Sequence, residues 1–222
     1  KPLVNLPSVD KPYGDVIRGV LTCPEGYTLC GADMTSLEDT TKRHYMKPLD
    51  PDYVLEMSRE GFDPHLDLAK FAGDVTQEDI DDYNAGKRPD LKAVRKAYKV
   101  VNYSATYGVG APKLAREAGM SQKDAKKLLT AFWERNWAIQ NVAGSLRVRE
   151  LFGTMWLQNP VSKFWYQLRS DKDRFSTLNQ GTGVFCFDSW VAICRQNGLQ
   201  TIGQFHDEVI VITKLGDENE TE

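Results

Sequence analysis

Little in this chain points to a membrane, a disulfide scaffold or a metal ribbon. Its 222 residues include only four cysteines and three histidines, and the formal net charge is −3. Cys23, Cys30, Cys186 and Cys194 form no C-x-x-C pair. That sets zinc aside and leaves buried, reduced thiols as the expectation, which suits a cytoplasmic setting. No apolar run approaches the roughly 20 residues of a membrane span, and the first residues do not have the pattern of a signal peptide. A charge so near zero gives composition no say on nucleic-acid binding, which would need a local basic face. The sequence begins at Lys1 rather than Met and stops in the acidic run Asp217 to Glu222, so a fragment of something longer is expected.

What is present is a core: 41% of the residues are hydrophobic, enough for one large domain or two small ones. The organising stretch is Gly203 to Ile212, GQFHDEVIVI, in which β-favouring residues flank His206-Asp207-Glu208. This pattern predicts a hairpin with two adjacent carboxylates at its turn. Either water or a cation must meet those charges, because a desolvated carboxylate is costly unless paired or metal-bound.

From the start, Pro2, Pro7 and Pro12 predict an irregular approach, followed by a strand around Val16 to Leu21 and a turn at Pro24-Glu25-Gly26. Tyr27 to Met34 reads as a strand ending at Asp33, with a helix starting at Thr35 or Ser36; Glu38 and Asp39 lie in its first turn. Asp33 is then either a helix cap or a strand-end ligand. Asp50 to Ala85 reads as short helices punctuated by Pro51, Gly61, Pro64, Gly73 and Gly86. A longer helix runs from Asp90 to Tyr107 and is closed by Gly108.

Along that helix Arg95, Lys99, Tyr103 and Tyr107 recur every fourth residue, sharing one face over about 18 Å at ~1.5 Å per residue. Two cations followed by two rings suit a polyphosphate next to a sugar or base. A solvated basic stripe with two core tyrosines explains the same spacing. Ser121 to about Leu151 reads as one amphipathic stretch ended by Phe152-Gly153, with Phe132, Trp133, Trp137 and Ile139 in the core. Met155 to Leu168 reads as a strand pair returning to the sheet. Asp171 to Asn197 reads as a long helix holding Gln180-Gly181-Thr182-Gly183, either a packing notch or a place where a duplex comes close.

Four ordered segments resemble motifs of the family A (DNA polymerase I-like) DNA polymerases, most closely the phage members. GADMTSLED resembles the first carboxylate motif, and RKAYKVVNYSATYG the fingers helix, with its R-x3-K-x3-[FY]-x3-Y-G pattern. LNQGTG resembles the glutamine helix, QFHDE the second carboxylate motif, and NLPSVDKPYGDVIRG the run leading into the palm. The resemblance covers nearly the whole chain.

It implies an α+β fold: an antiparallel palm sheet with flanking helices, from residues 1–48 and 155–222, and an inserted helical fingers subdomain, 49–154. Asp33 and Asp207 would hold two magnesium ions (Mg2+), with the Met34 backbone carbonyl as a further ligand and Glu208 as an accessory carboxylate. Arg95 and Lys99 would bind the incoming dNTP, Lys99 also protonating the departing pyrophosphate. Tyr103 would pack on the sugar, its hydroxyl implying tolerance of dideoxynucleotides, and Glu38 would exclude a 2′-hydroxyl. Tyr107 would alternate between stacking on the template and freeing the pocket, His206 would lie near the primer terminus, and Gln180 would read the minor groove of the primer-template DNA. The chain departs from the pattern at Asp39-Thr40, Ser104 and Ser176. Thumb and exonuclease domains would belong to the parent protein, and this segment alone is expected to be weakly active or inactive. Two alternatives are a single-subunit RNA polymerase, against which Glu38 and Glu208 argue, and a noncatalytic nucleic-acid-binding module, against which the retained Asp33 and Asp207 argue.

Overall fold

The computed structural model describes residues 6–217. Pro2, Asn5 at the head of the palm-entry motif, and positions 218–222 of the acidic run lie outside the described residues. The chain is α+β, with helices α1 (Gly14–Arg18), α2 (Leu37–Met46), α3 (Pro51–Met57), α4 (Pro64–Phe71), α5 (Gln77–Asn84), α6 (Leu91–Thr106), α7 (Ala111–Ala118), α8 (Gln122–Arg135), α9 (Trp137–Ser145) and α10 (Arg174–Gln196). Strands β1 (Tyr27–Asp33), β5 (Gln200–Phe205) and β6 (Glu208–Lys214) form one antiparallel sheet in the order β1-β6-β5, and β2 (Val148–Leu151), β3 (Thr154–Gln158) and β4 (Trp165–Leu168) form another. No helix among the described residues is long and apolar enough to cross a membrane.

The chain divides into two compact units, one comprising Glu38–Thr182 and the other the described residues on either side of it. In the flanking unit, Phe187 and Val191 of α10 pack with Val209 and Val211 of β6. That contact selects which face of the sheet is buried. The turn before β1 forms as expected: Tyr27 N–H donates to Pro24 O at 3.2 Å, with Gly26 at φ 81° where such a turn needs a left-handed residue. The expected strand at Val16 to Leu21 does not form: Val16 to Arg18 end the short helix α1, and Gly19 and Val20 are a turn. A brief apolar run does not distinguish strand from helix. Asp15 in its first turn and Arg18 in its last suit the helix dipole, and Arg18 Nε donates to Pro7 O at 2.8 Å.

In the Glu38–Thr182 unit, α3, α4 and α5 confirm the set of short helices. Pro51 and Pro64 lie in first turns capped by Asp50 and Asp63, and Thr76 and Asp79 form a reciprocal capping box. The stretch from Ser121 to Leu151 is not continuous. Asn136, whose amide donates to Phe132 O at 3.0 Å, breaks it into α8 and α9, and its end is strand β2. Phe132 and Ile139 are core and Trp133 packs against it, but Trp137 is 42% exposed, contrary to expectation. Phe152 and Gly153, at φ 51° and 72°, make the two-residue turn joining β2 to β3. With β2 on one edge and β4 on the other, β3 has no edge left. The pair β3–β4 therefore does not return to the β1-β6-β5 sheet. Gly181 is a packing notch, since a Cβ there would come within 2.8 Å of the Tyr166 ring. Of the four cysteines only Cys194 is buried; the others are half-buried.

Two polar networks lie within this unit. The Arg135 guanidinium stacks 3.7 Å from the Tyr53 ring centroid, donates to both oxygens of Asp67 at 3.0 and 3.1 Å, and donates to Glu56 at 2.7 Å. His65 is buried beside the start of α4, and burial first, then the Arg95, Lys99 and Lys42 charges, lower its pKa to about 4 against an opposing pull from Asp63. Arg135→Ala leaves the Asp67 carboxylate, 4% exposed, with only the Tyr53 hydroxyl at 3.2 Å and Lys70 at 3.8 Å, and should cost about 3 kcal/mol in urea unfolding. Below pH 6.5 the unfolded chain takes up a proton at position 65 that the folded chain resists down to about pH 4, so stability falls as pH drops through that window. Between pH 7 and pH 5 the loss should be about 2 kcal/mol larger in the parent than in His65→Gln, read from unfolding curves at the two pH values.

Candidate active site

Two sets of side chains contain the residues singled out by the sequence, one in each compact unit. The first is built by the β1–β6 ladder. Asp33 lies directly opposite Glu208, and the Met34 N–H donates to the Asp207 carbonyl at 3.0 Å. That bond makes Asp33–Glu208 a non-hydrogen-bonded pair, the arrangement in which facing Cα atoms approach to about 4.5 Å. Two acidic residues thereby face each other at one end of a strand pair. Like charges directly opposite destabilise a sheet, yet no lysine or arginine among the described residues lies within ion-pair distance of Asp33, Asp207 or Glu208.

The β5–β6 turn is His206-Asp207, closed by the Phe205–Glu208 pair. His206 takes φ 58° and is exposed, while Asp207 and Glu208 are half-buried. Gly31 belongs to the same arrangement. The Glu208 Oε1 lies 2.7 Å from where a Cβ would project, so only glycine leaves the Glu208 carboxylate in that position. No group of three His, Cys, Asp or Glu side chains converges on a metal position among the described residues. What this strand end supplies is hard carboxylate oxygens at Asp33, Asp207 and Glu208.

The second set is built around α6. Asp63 caps α4 through one oxygen, which accepts from the His65 and Leu66 N–H groups at 2.8 and 3.1 Å, and its other oxygen accepts from Arg95 Nε. Burial opposes ionisation of Asp63, but the Arg95 hydrogen bond and the two backbone N–H groups outweigh it and hold the pKa below the usual carboxylate value. Donating that hydrogen bond to Asp63 raises the pKa of Arg95. The terminal guanidinium nitrogens of Arg95 are left without a hydrogen bond among the described residues. One turn on, Lys99 Nζ lies 5.7 Å from the Tyr103 ring centroid, and Tyr103 is 52% exposed, its ring 6.0 Å from that of His65.

A further turn along, the Tyr107 hydroxyl donates to the Glu38 carboxylate at 3.0 and 3.1 Å and accepts from Gln180 Nε2 at 3.2 Å. Partial burial, then the Glu38 charge, raises the Tyr107 pKa. Glu38 is fixed from behind, its carbonyl accepting from Asn179 Nδ2 at 2.9 Å. So Glu38, Tyr107 and Gln180, distant in sequence, meet in one hydrogen-bonded chain. Neither ring of the α6 stripe is core; the buried tyrosine of this helix is Tyr98. The sequence reading passed over Asp63 and His65. The signal available was a cap residue, Asp63-Pro64, two residues before a histidine in the first turn of a helix.

No family model matches the chain. Over 228 residues it is 25% identical to DNA polymerase I of Pseudomonas aeruginosa, covering 94% of this chain and 23% of that protein. It is 24% identical over 223 residues to the thermostable DNA polymerase I of Thermus aquaticus, with 94% of this chain and 25% of that protein covered. Against the Thermus filiformis protein of the same name it is 29% identical over 133 residues, 60% of this chain and 14% of that one. The chain thus spans a quarter or less of the length of these curated relatives. Among solved structures, the POL domain of Pol1 from M. smegmatis, in complex with DNA primer-template and dNTP, superposes with a TM-score of 0.68 at 20% identity, covering 99% of this chain and 39% of that one. In fold, therefore, the chain is similar to a DNA polymerase POL domain, and along most of its length its sequence is similar to the bacterial proteins named DNA polymerase I.

Proposed function

We propose that this chain carries the nucleotidyl-transfer site of a family A DNA polymerase, joining dNTPs to a primer 3′-hydroxyl on a DNA template. The observation that carries the reading is the facing pair Asp33–Glu208 with Asp207 in the adjoining turn, three carboxylates without a lysine or arginine partner among the described residues. Similarity to the DNA polymerase I proteins supports it. Residues 49–154 would serve as fingers and the flanking segments as palm. Tyr103 favours the phage type, and with it a role in phage DNA replication in the host cytoplasm. Thumb and exonuclease domains of a longer parent protein would be its partners.

The donor set fits magnesium. That ion is held by one or two carboxylates plus substrate phosphates rather than by an all-protein cage, and Asp33, Asp207 and the Met34 carbonyl supply that share, with Glu208 accessory. When bound, two such ions supply Lewis acidity at the primer hydroxyl and at the triphosphate. The remaining roles belong to side chains. Arg95 offers its terminal nitrogens to the triphosphate while Asp63 holds Nε. Lys99, which has no carboxylate partner among the described residues, binds the same phosphates and gives its proton to the departing pyrophosphate. Tyr103 packs on the sugar, and Glu38, oriented by Tyr107, blocks a 2′-hydroxyl. Tyr107 alternates between this bond and the template base, Gln180 contacts the minor groove, and His206 lies by the primer end.

Single-nucleotide incorporation with the protein in excess over primer-template requires no processivity. In that assay, with magnesium and dNTP, Asp207→Ala and Asp33→Ala should each slow incorporation about a thousandfold, from roughly 4 kcal/mol of lost charge stabilisation; unchanged rates would overturn the assignment. Glu38→Ala should leave dNTP use measurable and relax discrimination against rNTPs at least about tenfold, the ~1.4 kcal/mol expected of one lost steric or hydrogen-bonding block. Equal use of rNTPs and dNTPs by the parent would favour the RNA polymerase reading instead.

A further inference from the structure

The β2-β3-β4 sheet has a face that neither the core nor the roles above use. Its registers place Val148, Leu157 and Tyr166 in one row and Arg149, Trp156 and Gln167 in the next. Leu157 is fully buried and Val148 and Met155 pack against the core, so that row and its alternates face inward. Because side chains alternate, the Arg149 row faces out. So does the row of Gln158 and Trp165, joined by Arg147 through the Gln158 N–H to Arg147 O bond of 3.0 Å. The two tryptophans are half-buried and belong to neither core cluster.

The arginines on this face are not neutralised. The Arg147 and Arg149 guanidinium carbons lie 5.5 and 5.0 Å from the same Trp165 ring centroid. Arg147 donates to the neutral Gln158 Oε1 at 3.0 Å, and neither arginine is ion-paired to a carboxylate among the described residues. Both are exposed. Two like charges over one ring, next to a second ring at the neighbouring row about 7 Å along the strands, match a ligand with repeated negative charge and flat faces.

We propose that this sheet face binds a single-stranded DNA segment, with phosphates on Arg147 and Arg149 and bases stacked on Trp156 and Trp165. Phosphate charge complements the unpaired arginines, and stacking on aromatic side chains is tolerant of base identity. A folded protein partner has no comparable claim, since nothing on the face pairs with it specifically. A duplex keeps its base faces in the stack, out of reach of Trp156 and Trp165. The choice of DNA over RNA rests on the polymerase reading; the binding chemistry does not.

Fluorescence anisotropy of a labelled oligo-dT with the 222-residue chain, in chelator without dNTP, tests the proposal. Arg147→Gln/Arg149→Gln should weaken binding at least about tenfold, and should reduce the slope of log K against log salt by about 1.4, at roughly 0.7 per phosphate contact on a single strand. Binding by the parent should quench tryptophan emission, and Trp165→Tyr should remove a distinct part of that quench while circular dichroism and the thermal midpoint show the fold retained. Chelator and the absence of dNTP keep catalysis out of this assay, so loss of this face reads out separately from loss of incorporation. No oligo-dT binding by the parent, or unchanged affinity and slope in the double arginine variant, would overturn the proposal. An equal loss of duplex-DNA affinity in the double arginine variant, or binding of oligo-U through the same two arginines in preference to oligo-dT, would overturn the assignment to single-stranded DNA.

Discussion

The register of β1 against β6 is the constraint on which the rest of the acidic site depends. It places Asp33 opposite Glu208 because it must place Val209 and Val211 against Phe187 and Val191. A slip by one residue would turn the two valines outward, at a cost of about 3–6 kcal/mol for two such side chains. Repulsion between two unit charges at a hydrated edge is only about 1 kcal/mol even at ~4 Å. Apolar packing therefore wins, and the acids are forced together by a choice made on the other face of the sheet. Glycine at position 31 completes the arrangement by leaving space for the Glu208 carboxylate.

The helical unit solves the opposite problem, holding long flexible cations in place. Asp63 does two jobs with one carboxylate, capping α4 and clamping Arg95 Nε, so the start of one helix and the side chain of another are fixed together. Rotamer entropy of a free arginine is of order 2 kcal/mol, and a fixed Nε removes part of it before any ligand arrives. Glu38 is handled similarly: Asn179 holds its backbone and Tyr107 its carboxylate. The tyrosine hydroxyl is also the acceptor for Gln180, so a change at any of the three side chains is felt by the other two.

The parts of this architecture legible in the sequence were those with a local cause. The β5–β6 hairpin, the turn at Pro24 to Tyr27, the capped short helices and the long helix closed by Gly108 all follow from periodicity, caps and glycine. The i, i+4 stripe from Arg95 to Tyr107 was legible for the same reason. What failed needed tertiary knowledge. Val16 to Leu21 carried a strand's composition but found no ladder partner, Asn136 split a helix with its side-chain amide bonded to the Phe132 carbonyl, and Trp137, just after that split, is exposed. The strands after Thr154 were recognised as strands, but their partner was decided by the turn at Phe152-Gly153, whose two left-handed residues include a phenylalanine that no glycine or asparagine signal announces. Asp63 was missed because a cap and an arginine clamp look alike in one dimension.

Net charge gave no hint of either surface, and the reason is instructive. With 28 basic and 31 acidic residues, what matters is which charges find partners within the fold. Arg88 pairs with Asp79 and Asp90, Arg135 with Asp67 and Glu56, and Arg95 with Asp63, and these pairs cancel at long range. Among the described residues that no ion pair neutralises are Asp33, Asp207 and Glu208 at one strand end, and Arg147 and Arg149 on one sheet face. An isolated exposed charge costs little in water, so its lack of a partner means little. Like charges held side by side are different: they repel in the unliganded protein, and the repulsion is relieved when an opposite charge arrives. Each cluster therefore contributes to ligand affinity by the strain it loses as well as the contacts it gains, which favours divalent cations at the carboxylates and a polyanion at the arginines.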